Sequence, residues 1–180
     1  MPGKTFSSAR SQSGFSMIEV LAAVLLLMVG VLGYAALQTR AMQSTGESYF
    51  RAQAMGIAQD LASRMRVNAA QKSAYTTASN WSATAPTAPS TTCITAACTA
   101  ANIATADIQD VRFSALSLLP QGQMLVEACQ AATAMTCVYV SWGSTAPTTG
   151  SSGQCVDATG KYVVGSSGAG PDCVMLEILI

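Results

Sequence analysis

Residues 15–37, FSMIEVLAAVLLLMVGVLGYAAL, hold a single charged side chain, Glu19. Nothing else in the chain constrains its fold as strongly. At about 1.5 Å per residue, a helix of this length spans a bilayer core of about 30 Å. The run is longer than the roughly 7–15 apolar residues of a secretory signal, and no A-x-A cleavage site with a polar start follows it. It is therefore expected to stay attached as a transmembrane helix. The preceding residues 1–14, MPGKTFSSARSQSG, are polar and basic through Lys4 and Arg10. Such a flank stays in the cytoplasm, which places everything after Arg40 outside it.

Glu19 is the anomaly in this run. An isolated acid at the centre of a membrane helix costs roughly 2.5–3.5 kcal/mol on insertion scales. Some partner should offset that cost, unless the side chain snorkels from its place near the helix start.

Charged residues make up 10% of the chain, against about 25% in an ordinary soluble domain. Beyond residue 72 the surface is rich in Ser, Thr, Ala and Gly, so it is polar but largely uncharged. From Lys72 onward the bases are Lys72, Arg112 and Lys161. The acids are Asp107, Asp110, Glu127, Asp157, Asp172 and Glu177, so the net charge there is negative. Binding of nucleic acid rests on Lys and Arg neutralising phosphates, and this region is poorly equipped for it. There is no histidine, which removes the commonest general base and transition-metal ligand.

Six cysteines, Cys93, Cys98, Cys129, Cys137, Cys155 and Cys173, all lie in the distal half. An even number in an exported chain reads as a disulfide set. The CxxC knuckles of zinc ribbons are missing, so no metal is expected. Two strands folding back about Thr133 would set Cys129 opposite Cys137. Cys93–Cys98 and Cys155–Cys173 follow as nearest neighbours.

The helix is expected to run from Phe15 to about Ala70. Residues 15–37 form its transmembrane half and 38–71 an amphipathic half. Phe50, Ala54, Ile57, Leu61 and Met65 recur at spacings of one helical face. Glu47–Arg51 and Asp60–Arg64 are acid-then-base pairs at i, i+4 on other faces. Residues 72–180 then form a separate head. Within it, 76–106 reads as a surface loop because Pro86 and Pro89 exclude a long helix. The chance-level sequon Asn80-Trp81-Ser82 lies there. A short helix follows, capped by Thr105 or Asp107, with Ile108, Val111, Leu116 and Leu119 inward and Pro120 and Gly122 ending it. Strands are expected over 123–129 and 136–142, with a Gly/Ser/Thr loop over 143–160. GKYVVG is a possible third strand, and CVMLEILI a last one. The stripe on the helix and the sheet should cover each other, giving an α+β fold.

The segment GFSMIEVLAAVLLLMVGVLGYAAL resembles the class III signal of type IV pilins and type II secretion pseudopilins. In that family a short basic leader ends in Gly, the next residue is Phe or Met, and the fifth mature residue is Glu. Gly14, Phe15 and Glu19 fill these positions. The resemblance implies a pilin fold, with a long helix on a small antiparallel sheet. It also implies that a prepilin peptidase cuts between Gly14 and Phe15 and methylates the new N-terminus at Phe15. It implies further that Glu19 meets the N-terminal amine of a neighbouring pilin, two charges offsetting one another in lipid. Many major pilins carry a proline near the middle of this helix. Here Ala36 stands with no proline nearby, and Gly30 and Gly33 are the candidate flexible points.

MGIAQDLASRMRVNA, DIQDVRFSALSLLPQGQ and CVYVSW are similar to PilV-type minor pilins. That implies a scarce subunit, without cofactor, that primes type IV pilus assembly and sits at or near the tip. It would lie with the major pilin, other minor pilins and a PilY1-like tip adhesin, and support twitching motility and adhesion. Such a subunit starts in the inner membrane with its head in the periplasm and ends in the extracellular pilus. The alternative is a GspI-like minor pseudopilin of type II secretion. An enzyme is disfavoured, since no HEXXH, GxSxG or P-loop occurs and a cysteine nucleophile would lack a histidine base.

Overall fold

In the computed structural model, the described residues are 14–82, 84–94, 97–150, 153–163 and 170–180, without the side chains of 43 and 44. The expected leader up to residue 13 and the end of GKYVVG lie outside them. The chain forms two compact units, Met1–Thr45 and Gly46–Ile180.

One helix, α1, spans Met17–Val67. Its first half buries nothing within the chain: Ile18 is 74% exposed and Leu32 71%. This segment is long and apolar enough to cross a membrane. In the second unit the expected stripe is buried. Ala54, Ile57, Leu61 and Met65 join Ala58 and Ala62 in the core, with Phe50 packed at its margin. Burying each of the larger side chains contributes about 1.5–3 kcal/mol. The helix stops at Val67 because Asn68 leaves the helical region, at φ −114° and ψ 41°. Its side-chain amide donates to the Tyr75 hydroxyl at 3.3 Å and the Ala100 carbonyl at 2.8 Å. A 3-10 turn, Ala69–Gln71, and a short helix α2, Lys72–Thr76, follow.

The stretch read as a loop, 76–106, is more ordered than expected. It contains a single helical turn α3, Ser79–Ser82, and the start of α4, Ala100–Leu118. Trp81 of α3 is buried and donates its indole N–H to the Tyr75 carbonyl at 2.6 Å. The true cap of α4 is Thr99, whose hydroxyl accepts from the Asn102 amide at 3.2 Å. Neither Thr105 nor Asp107 caps it. Alanines at 100, 101 and 104 extend the helix toward its N-terminus, since alanine loses no side-chain entropy there. Ile108, Val111 and Leu119 face inward, but Leu116 is 38% exposed and Ala115 takes the buried place. After α4 the chain reverses at Gln121, φ 55°. A β-carbon on Gly122 would collide with the Ala115 carbonyl, so only glycine fits there.

Strands β1 (Gln123–Ala128), β2 (Thr136–Ser141) and β5 (Cys173–Ile178) make an antiparallel sheet of order β1-β2-β5. All six residues of β2 are buried, as befits a central strand covered on both faces. Val138 and Val140 alternate with Cys137, Tyr139 and Ser141 across the pleat. The residues expected to be a plain loop, 143–160, hold a short parallel pair, β3 (Ala146–Thr149) and β4 (Gln154–Val156). Its sequence has no apolar alternation to announce it. The pair is stitched by Ala146 N–H to the Gly153 carbonyl (2.8 Å) and Gly150 N–H to the Val156 carbonyl (2.9 Å). Of GKYVVG, Tyr162 makes an isolated bridge to Val156. The last strand stops at Ile178 rather than at the end of the sequence.

Candidate functional site

Glu19 lies in the first turn of α1, where a negative charge suits the exposed amides and the helix dipole. Its amide donates to the Ser16 carbonyl at 3.0 Å. Phe15 precedes the helix and is 85% exposed. Phe15, Glu19, Val20, Ala23, Val24 and Leu27 line one shallow concavity of about 480 Å³ along the helix. The aromatic ring and the carboxylate therefore share a side. Among the described residues no cation pairs with Glu19. Space is open around Gly14, Gly30 and Gly33.

The six cysteines form three disulfides, Cys93–Cys98, Cys129–Cys137 and Cys155–Cys173, and none is free. The central pair is not directly cross-strand, as symmetry about Thr133 would make it. The ladder pairs Glu127 with Cys137, and the Cys129 amide bonds the Met135 carbonyl. The hairpin thus folds about Ala132, one residue short of Thr133. Cys129 and Cys137 are diagonal neighbours on one face, with Cα atoms 5.0 Å apart. A Glu177 oxygen lies within 4.8 Å of both sulfurs. These three residues do not make a metal site, because disulfide sulfurs are not thiolates.

Sequence reasoning missed the polar centre of the head. Arg64 keeps its helical partner Asp60 at 3.1 Å and also reaches Asp107 at 3.0 Å. Asp110 stands 3.7 Å away. The other Asp107 oxygen accepts from the Tyr75 hydroxyl at 2.6 Å. Asp110 in turn accepts from the Ser90 amide at 2.6 Å, pinning the loop before α4. Burial pushes the Tyr75 hydroxyl well above its ordinary pKa, and the bond to Asp107 adds to this. Burial works against the Arg64 charge, yet hydrogen bonds and attraction from Asp60 and Asp107 leave its pKa raised. A signal was available. Asp107 sits at helical spacing between Ala104 and Val111, on the apolar face, where a carboxylate implies a buried partner. The second pair, Glu47–Arg51 at 2.8 Å, is likewise extended. Arg51 donates to the Pro171 and Cys173 carbonyls at 3.1 and 3.3 Å and lies over the Trp142 ring.

These features fit a membrane-anchored subunit: an apolar helix led by Phe15 and Glu19, joined to an α+β head stapled by disulfides. A family model for the prokaryotic N-terminal methylation motif matches residues 9–35, and one for type IV pilin Tt1218 matches the adjoining 36–109. The chain belongs to the type IV pilin family. That membership fits an inner-membrane anchor, assembly with other pilins and processing by a prepilin peptidase, and the family is structural rather than enzymatic. No curated protein and no solved structure matches the chain.

Proposed function

We propose that this chain is a PilV-like minor pilin that helps prime type IV pilus assembly and sits at or near the tip. There it supports pilus formation, twitching motility and adhesion. It is not an enzyme. The observation that carries the reading is the register of Gly14, Phe15 and Glu19 at the head of an unburied apolar helix, inside the methylation-motif match. The peptidase cuts after Gly14 and the amine of Phe15 is methylated. The head begins in the periplasm and leaves the cell with the pilus. Glu19 accepts the N-terminal amine of a neighbouring subunit, because an acid in lipid without a cation is costly. The partners are the major pilin, other minor pilins and a PilY1-like adhesin. The match to a type IV pilin model favours this reading over a secretion pseudopilin.

Deletion tests it. Surface pili and twitching should fall sharply without this chain and return with a wild-type copy. Loss of protein secretion with normal piliation would point instead to the pseudopilin. A bulky residue at Gly14 should leave the leader attached, seen by intact mass; normal cleavage in that variant would remove the basis of the reading.

A further inference from the structure

The antiparallel sheet ends on β5, and that edge is open over part of its length. The Met175 amide donates away from β2, to the Tyr162 hydroxyl at 2.9 Å. Inward and outward backbone groups alternate along an antiparallel strand. Cys173, Met175 and Glu177 therefore turn theirs outward. The Cys173 carbonyl is taken by Arg51 at 3.3 Å. The Met175 carbonyl and both backbone groups of Glu177 have no partner among the described residues. Glu177 is exposed, Leu179 is 73% exposed, and Leu176 and Ile180 are half-buried. The segment MLEILI holds no proline, glycine or lysine to blunt pairing. Such an edge is a template for a further strand.

The charge on the edge indicates what that strand carries. Glu177 has no cation against it among the described residues. The cross-strand row it ends, Glu127–Cys137–Glu177, holds a second carboxylate and no base. A residue opposite Glu177 on an added strand extends this row, and opposite charges there are favourable. We propose that the outer edge of β5 takes up an extended antiparallel strand of a different polypeptide, with Lys or Arg opposite Glu177. A second copy is a poorer occupant, since it brings its own carboxylate to the same short edge. The inference rests on the head alone and does not depend on the pilin reading.

The test uses the full chain in detergent micelles and three fluorescent, end-blocked peptides of alternating Val and Thr. One has a central Lys, one a central Glu, and one the central Lys with N-methylated amides on its pairing edge. Anisotropy should show the Lys peptide binding roughly tenfold tighter than the Glu peptide, with N-methylation abolishing binding. Glu177→Lys should invert the preference while its melting curve stays unchanged, as befits an exposed site. Failure of every peptide to bind would overturn the proposal and leave Glu177 as a guard against edge pairing. So would binding that ignores N-methylation or the charge at 177. Sedimentation as a dimer without peptide, lost in Glu177→Pro, would assign the edge to a second copy instead.

Discussion

Asp107 occupies a helix face otherwise built of alanine, isoleucine and valine, and it holds two elements to a third. Its oxygens bind Arg64 of α1 and Tyr75 of α2 while it belongs to α4. Truncating it leaves the buried Tyr75 hydroxyl without its acceptor and takes from Arg64 one of its two close carboxylates, Asp60 remaining. Asp107→Ala should therefore cost about 2–4 kcal/mol of head stability, and Asp107→Asn, which keeps an acceptor, less. Denaturant midpoints of the two variants in micelles check the order. The buried tyrosines supply a pH prediction. Burial pushes Tyr139 up to about 12, and Tyr75 is raised as well. Both are acids whose folded pKa exceeds the unfolded value near 10. Between those values the native state binds more protons, so stability falls as pH rises. The contribution is complete below about pH 10 and is lost toward pH 12. The melting temperature should drop in that window. Tyr139→Phe should flatten the drop, and it also removes a buried hydroxyl that has no partner among the described residues.

At the scale of elements, the disulfides differ in what protects them. Cys129, Cys137, Cys155 and Cys173 are at most 1% exposed, whereas Cys93 and Cys98 lie on a half-buried surface loop. Reduction proceeds by attack on a reachable sulfur. Graded reductant should therefore open Cys93–Cys98 first, as differential alkylation and mass mapping would show. Opening of the Cys155–Cys173 link at the same dose would mean that β4 and β5 separate more readily than their packing implies. The elements legible in the sequence were those with a period. The α1 stripe recurs every three or four residues, and β1, β2 and β5 are apolar runs of strand length. Those that stayed hidden lacked such a signal. The start of α4 is an alanine-rich tract whose inward residues, Ala104 and Ala106, are too small to mark an apolar face. The β3–β4 pair, APTT against QCV, is short, has no apolar alternation and is held by backbone bonds. The hairpin is legible, yet its centre lies one residue before the expected one and the pairing shifts by two, because a turn of Gln, Ala and Thr without glycine does not declare its centre. In the sequence Asp107 reads as a cap, as an acid near a helix start usually does. It lies mid-helix because the alanines carry the helix further back.

For the whole molecule, the same chain holds a self-sufficient core and an apolar segment that stays exposed among the described residues. The core residues of the head form one cluster from Ala54 to Ile178. The first half of α1 contributes none of them, and it is long and apolar enough to cross a membrane. Glu19 is the residue that separates these roles. Removing its charge makes the segment more apolar, so membrane insertion should be no worse. The head should fold with its three disulfides formed, because none of its contacts involves residue 19. If the carboxylate receives a neighbour's amine, the subunit should gather in the inner membrane and fail to enter the filament. The most direct measurement is the ratio of Glu19→Ala protein in sheared pili to that in membranes, against wild type at equal expression. That ratio should collapse while intact mass shows normal leader removal if the carboxylate pairs with a neighbour's amine. An unchanged ratio would contradict it, leaving Glu19 as a side chain that merely reaches the membrane surface.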